Sequence, residues 1–140
     1  MKAARLFFAA VVVAAIAAGT AAAGADKFAL LGPDGNALCD GSGVITGAPG
    51  GFGFAVINAS ADGNISATVS LKKQTPNTTY VVRLVQGADC FTVDAQVTTN
   101  GKGNATVHLS EPSVSTHALI AVDEGSLGAG DQFVTETYNH

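Results

Sequence analysis

His108 and His117 are the side chains whose types and spacing come closest to a chemical site. If Glu111-Pro112-Ser113 turns a hairpin, pairing about its centre sets His108 opposite His117 on the polar face. Two neutral imidazoles at cross-strand distance could hold zinc or copper. The sequence supplies no third ligand at a defined spacing, since His140 stands at the chain end, so two solvated surface histidines are the simpler reading. Oxygen ligands gather in Asp34-Gly35-Asn36 to Asp40 and in Asp123-Glu124 to Asp131. Neither matches the spacing of a twelve-residue calcium loop, and Asp beside Gly is ordinary turn chemistry.

Nucleophilic catalysis finds no support in local motifs. The chain has many serines but no G-x-S-x-G elbow. Paired catalytic carboxylates leave no mark in linear spacing, because two loops far apart in sequence can meet in space. Gly41 to Gly53 is rich in glycine yet lacks the G-K-[ST] ending and following helix of a phosphate cradle. There is no Trp, and Tyr80 and Tyr138 are the only tyrosines, which leaves little to stack on a sugar ring. The expectation is a protein that is not an enzyme, holds no cofactor and uses no metal, with His108 and His117 as the residues of the alternative.

The compartment is read from the first 25 residues. Lys2 and Arg5 precede an apolar run from Leu6 to Ala18, and small residues end at Ala23-Gly24-Ala25 before Asp26. This is the layout of a cleaved secretory signal. Leu6 to Ala25, uncharged for 20 residues, is just long enough to span a bilayer as a retained anchor, but no basic cluster follows it. Residues 1–25 are therefore read as a signal peptide and 26–140 as one domain, secreted or periplasmic, with no stable membrane insertion after cleavage. The whole chain of 140 residues carries a formal charge of −4. Removing the signal leaves five basic residues against eleven acids, a charge of −6. Lys27, Lys72, Lys73, Arg83 and Lys102 are too few and too scattered for nucleic acid or an anionic membrane surface.

Cys39 and Cys90 are the only cysteines. In an exported chain they most simply form one disulfide, since neither a CxxC motif nor a neighbouring His marks a reactive thiol. The closed loop of about 50 residues would stabilise a small domain by roughly 4 kcal/mol on chain-entropy reasoning. Four N-x-[ST] triplets, at Asn58, Asn64, Asn77 and Asn104, are glycan acceptors if the source is eukaryotic. The Ala-rich signal and sparse cysteines lean bacterial, where the triplets are Asn turns beside Thr-rich strands.

The elements that must position these groups alternate apolar and polar residues from Phe52 to Val122. Lys27–Leu31 and Ala37–Cys39 read as short strands about the Gly32-Pro33-Asp34-Gly35 turn, and Val44–Thr46 as a short strand in a Gly-rich loop. Phe52, Phe54 and Val56 form one inward set. A two-residue turn at Asp62-Gly63 pairs Val56 with Val69 and Phe54 with Leu71, with Ile65, Ala67, Val69 and Leu71 inward. Tyr80, Val82 and Leu84 follow, with Arg83 outward. Phe91, Val93, Ala95 and Val97 form the next set. The Asn100-Gly101 turn demands an odd loop, of three or five residues, with a left-handed Gly. Ala105, Val107 and Leu109 precede the Glu111 turn, and Ala118, Ile120 and Val122 follow it. Gly125 to Gly130 is a loop, and Phe133 to Tyr138 a last edge strand. No segment beyond residue 25 shows a helical period. The sum is an all-β antiparallel sandwich of about eight or nine strands in two packed sheets.

Leu71 to Leu84, LKKQTPNTTYVVRL, resembles the L-x-x-L-x-P-x-T-x-Y-x-V-x-V/L segment of fibronectin type III-like domains. Pro76, Thr78, Tyr80, Val82 and Leu84 are in place, and Gln74 stands where that family has its second Leu. The resemblance implies an Ig-like sandwich and a tyrosine corner, in which the Tyr80 hydroxyl reaches back to upstream backbone. Four further strands downstream, where that family has about one, depart from its topology. Asn77 to Leu109 is more loosely similar to secreted bacterial Ig-like domains, including the apoproteins of enediyne chromoproteins, whose two short-range disulfides are absent here. No functional residue transfers from either likeness.

The function expected is a secreted, non-enzymatic Ig-like module that binds a protein or cell-envelope partner through loops at one end. The alternatives are a small-ligand carrier of the chromoprotein-apoprotein type, rimmed by Gly41–Gly53 and Gly125–Gly130, and a metal protein or enzyme using His108 and His117.

Overall fold

The computed structural model describes residues 24–36, 46–87, 90–127 and 132–140. Residues 1–23, which hold most of the expected signal peptide, Cys39 and most of the loops around Asp40 and Asp131 lie outside these residues. So do the short strand expected at Ala37–Cys39 and all but Thr46 of the one expected at Val44–Thr46. Among the described residues there are nine strands and no helix: β1 (Asp26–Asn36), β2 (Thr46–Ala59), β3 (Asn64–Leu71), β4 (Thr79–Gln86), β5 (Ala95–Thr98), β6 (Ala105–Pro112), β7 (His117–Glu124), β8 (Gln132–Val134) and β9 (Tyr138–Asn139). No helix among them is long and apolar enough to cross a membrane.

All pairings are antiparallel, and the strands form one continuous sheet in the order β5-β4-β7-β8-β1-β2-β3-β6, with β9 pairing β7. The two ends of this order, β5 and β6, come close without a hydrogen-bonded ladder, so the sheet curls round and nearly closes. The expected pair of separate sheets is thus joined through β8. One face of the curled sheet encloses the core, where Ile57, Ile65, Val69 and Leu71 meet Tyr80, Val82, Ile120 and Val122.

The parity of β3, β4, β6 and β7 follows the alternation, but the β2–β3 register differs from expectation. Ala55 pairs with Val69 and Phe54 with Ser70. The loop is Ala61-Asp62-Gly63: Ser60 N–H donates to Asn64 O, Gly63 N–H donates to Ser60 O, and Gly63 has φ +84°. A turn followed by a left-handed Gly adds one residue to the loop. A one-residue slip sends every side chain to the other face. Ala55, Ile57 and Ala59 therefore fill the core, while Phe54 and Val56 face outward and Phe54 lies under the Lys27 ammonium at 3.9 Å.

The β5–β6 loop is odd, as its parity demands. It consists of Gly101-Lys102-Gly103, closed by Asn100 N–H to Asn104 O, with Gly103 at φ +73°. β5 is shorter than expected because the Asp94 carboxylate takes the Leu84 N–H at 2.6 Å, in place of a backbone carbonyl. Phe91 consequently stands outside the strand, 75% exposed.

Gly32-Pro33-Asp34-Gly35 does not turn the chain. It lies within the long strand β1 as a register irregularity against β2 and β8. The last strand is not an edge, because β8 sits between β7 and β1. Thr135, wholly buried, continues the pairing by donating its N–H to Ile120 O and accepting the Ile120 N–H through Oγ1.

Candidate binding cleft at the open end of the sheet

One end of the curled sheet is locked. The Tyr80 hydroxyl, at the start of β4, accepts the Thr75 N–H at 3.1 Å. Buried Thr99 donates its hydroxyl to Thr75 O at 2.6 Å and accepts the Thr78 N–H at 3.1 Å. Buried Gln74 donates to Phe52 O, and its N–H reaches Gly103 O. These bonds tie the β3–β4 connection to the β5–β6 turn and to β2.

At the opposite end the seam between β5 and β6 is open. β5 stops pairing with β4 at Val82, and β6 stays with β3, so the seam between β5 and β6 widens towards Gln86. A cleft of about 200 Å³ results, lined by Leu84, Gln86, Thr92, Asp94, Glu111, Pro112 and Val114. Gln86 braces it. Its Nε2 donates to Glu111 Oε1 at 2.6 Å and to Pro112 O at 3.2 Å, and its Oε1 accepts the Val114 N–H at 3.1 Å. The Asp94 carboxylate is held by Leu84 N–H. Two carboxylates thus sit in fixed positions in a partly apolar wall, and none of the seven lining residues is cationic. Val114, 72% exposed, forms part of the rim, and Phe91 lies beside Thr92 in sequence. Pockets that enclose drug-sized ligands run from about 300 to 1,000 Å³, so this one suits a single side chain or a small polar head better than a chromophore.

The histidines fall elsewhere. β6 and β7 are not sheet neighbours, so His108 and His117 do not face each other. His108 pairs with Thr68, whose Oγ1 is 2.8 Å from its Nδ1, and His117 pairs with Asn139, whose Oδ1 is 2.6 Å from its Nδ1. The alternation specified the faces of these two strands but not their partners. Among the described residues no group of three or more His, Cys, Asp and Glu could hold a metal ion. His140 is fastened rather than free: its ring stacks on Tyr138 at 5.1 Å, and Nε2 lies 2.9 Å from Ser113 Oγ.

Asp123 is not a loop ligand. It is wholly buried on β7, paired with Arg83, and it accepts from Gln132 Nε2 at 2.7 Å. Arg83, expected in water, is buried as well and donates through Nη1 to Cys90 O at 2.6 Å. Cys90 is buried, and no free cysteine occurs among the described residues. Asp34 is exposed on β1, and its carbonyl accepts the Thr46 hydroxyl. Of the Asn triplets, Asn77 is exposed with φ +54°, whereas Asn58, Asn64 and Asn104 are half-buried.

Phe91, Asp94, Gln86, Glu111 and Val114 were not singled out by motif. Their only sequence signals are a large apolar residue beside a cysteine and the break in alternation at Glu111-Pro112. Comparison of this chain with protein families, curated proteins and solved structures finds no match.

Proposed function

We propose that this chain is a secreted, non-enzymatic β-sandwich module of Ig-like character that binds a protein partner of the cell envelope through its open end. The observation that carries the reading is the contrast between the two ends. Both are tied by side-chain-to-backbone bonds, from Tyr80 and Thr99 at one and from Gln86 and Tyr138 at the other, but the second also keeps a cleft and holds Phe91 and Val114 in water. Exposed large apolar residues beside a braced cleft are a common mark of an interaction surface. The Tyr80–Thr75 hydrogen bond supports the Ig-like part, since it has the form of a tyrosine corner. Export after cleavage behind Ala25 and a Cys39–Cys90 disulfide complete the proposal. The buried Cys90 supports the latter, and the intact mass of the exported chain tests both. It should begin at Asp26 and lie two hydrogens below the dithiol form.

The function is tested by immobilising the mature chain and a Phe91→Ser/Val114→Ser double variant against detergent-solubilised envelope proteins. A partner held at micromolar concentration by the parent and lost by the variant is the expected result. Equal retention by both, or retention by neither, would sink the reading.

A further inference from the structure

We propose that two copies of this chain pair through the free edge of β6, antiparallel about His108, and carry the sheet from one copy into the next. The inference goes beyond the cleft reading and does not depend on it. Backbone parity identifies the edge. Ser113 N–H donates to Gly63 O, and β6 pairs with β3 in the same register, Leu109 with Ala67 and Val107 with Val69. In an antiparallel ladder alternate residues turn both backbone groups to the same neighbour, so Val107, Leu109 and Glu111 face β3 while Thr106, His108 and Ser110 face away. On that far side β5 forms no ladder with β6, and among the described residues no backbone hydrogen bond reaches these three. Solvent enters the seam. The inward side chains of the two strands beside it, Ala95, Val97, Ala105 and Val107, are half-buried, whereas Val69, Val82 and Ile120 on the other strands are wholly buried. Edge strands of monomers are commonly guarded by charge, proline or a bulge. From Ala105 to Ser110, β6 has none of these. A second copy is the occupant that the strand's own sequence fits. With His108 on a two-fold axis, Thr106 meets Ser110 of the second copy, Val107 meets Leu109, and His108 meets His108. Hydroxyls then face hydroxyls, aliphatic side chains face aliphatic ones, and each of the free residues falls in a hydrogen-bonded pair. A slip by one residue would mix the two faces. The two-fold contact uses up the β6 edge and closes on itself. An edge of this length buries less than the ~1,200–2,000 Å² of a standard interface, so the pair is weak, with a Kd of roughly 0.1 mM.

Sedimentation of the mature chain, and hydrogen exchange of its amides, from about 10 μM to about 1 mM test the pairing. The expected result is a rise in mass towards two copies. The Thr106, His108 and Ser110 amides should slow together, while those of Val107 and Leu109, already bonded to β3, stay unchanged. His108→Lys sets two ammonium groups across the axis and should weaken the pair about fivefold, whereas His108→Thr should retain it. Ser110→Pro removes a donor that faces away from β3. It should leave the thermal midpoint near that of the parent and weaken the pair about tenfold or more. Should that variant unfold, His108→Lys carries the test alone. A single-copy mass at every concentration would overturn the inference. So would a dimer indifferent to His108→Lys, or slowing of the three amides only when envelope protein is added, which would give the edge to a foreign strand. Envelope capture is read separately from the Phe91→Ser/Val114→Ser comparison, so each idea can fail alone.

Discussion

Arg83 Nη2 lies 2.7 Å from Asp123 Oδ2, a buried ion pair that joins β4 to β7 on the side of the sheet away from the main core. The two are diagonal neighbours, since Arg83 pairs with Ala121 and Asp123 with Val81. Arg83 Nη1 holds Cys90 O, and Asp123 Oδ1 accepts from Gln132, so one cluster ties together β4, β7, β8 and the segment leading to Phe91. Arg83 Nε is buried without a hydrogen-bond partner.

Removing one member of this pair leaves the other as a buried charge. Asp123→Ala should lower unfolding free energy by about 3–5 kcal/mol. The double change Arg83→Met/Asp123→Leu should cost much less than either single change, because it removes the desolvated charges together. Urea unfolding of the four proteins measures the coupling. Near-additive losses would show that the pair acts as two independent residues.

Tyr80→Phe deletes the acceptor of the Thr75 N–H and should cost about 1–2 kcal/mol, since Thr75 is exposed and water can replace part of the bond. Tyr138→Phe deletes the acceptor of the buried Ala59 N–H and should cost more, up to about 3 kcal/mol. The order of the two thermal midpoints is the readout, and a reversed order would contradict it.

Three glycines with positive φ should separate by space. A Cβ on Gly53 would lie 2.0 Å from Ser70 O, and one on Gly103 would lie 2.0 Å from Gln74 O. Alanine at either site should cost more than about 3 kcal/mol or prevent folding. A Cβ on Gly63 meets nothing within 4 Å, so Gly63→Ala should cost only the left-handed backbone penalty of about 1–2 kcal/mol. Chemical denaturation of the three variants tests this ranking.

Hydrogen bonds from Ser60 Oγ, and then from Asn64, hold the Asp62 carboxyl below the usual carboxylate range. The sign follows from linkage. With a folded pKa lower than the unfolded one, the contribution of Asp62 is complete above the unfolded value of about 3.9 and is lost as pH falls through the folded pKa. Asp62→Asn keeps an acceptor in the turn without a titrating group. Urea midpoints measured from about pH 5 downward should therefore fall less steeply in Asp62→Asn than in the parent. Parallel curves would exclude the turn carboxylate as a contributor.

Period-two alternation was enough to identify an all-β antiparallel chain and the core faces of β3, β4, β6 and β7, because burial on one side of a pleated strand repeats at that spacing. Ile65, Val69, Tyr80, Val82, Ile120 and Val122 all lie where alternation places them. It failed at β2, where Gly63 takes a left-handed conformation and the loop gains a residue. Phe54 and Val56 looked like core because they are large and apolar, yet the register gave the core to smaller Ala55 and Ala59.

Strand identity, inward parity and the need for an odd Asn100 loop are local properties, written in neighbouring residues. Which strand pairs with which is not local. Glu111-Pro112-Ser113 reads as a hairpin in sequence, but β6 joins β3 and β7 joins β4, so the expected meeting of His108 and His117 never forms. The same choice of partners leaves β5 and β6 unpaired at one end and brings Asp94 and Glu111 to one cleft from separate segments. Alternation specifies a side chain's face through the geometry of its own strand. Only the closing of the sheet, driven by burial of all those faces together, decides which side chains meet.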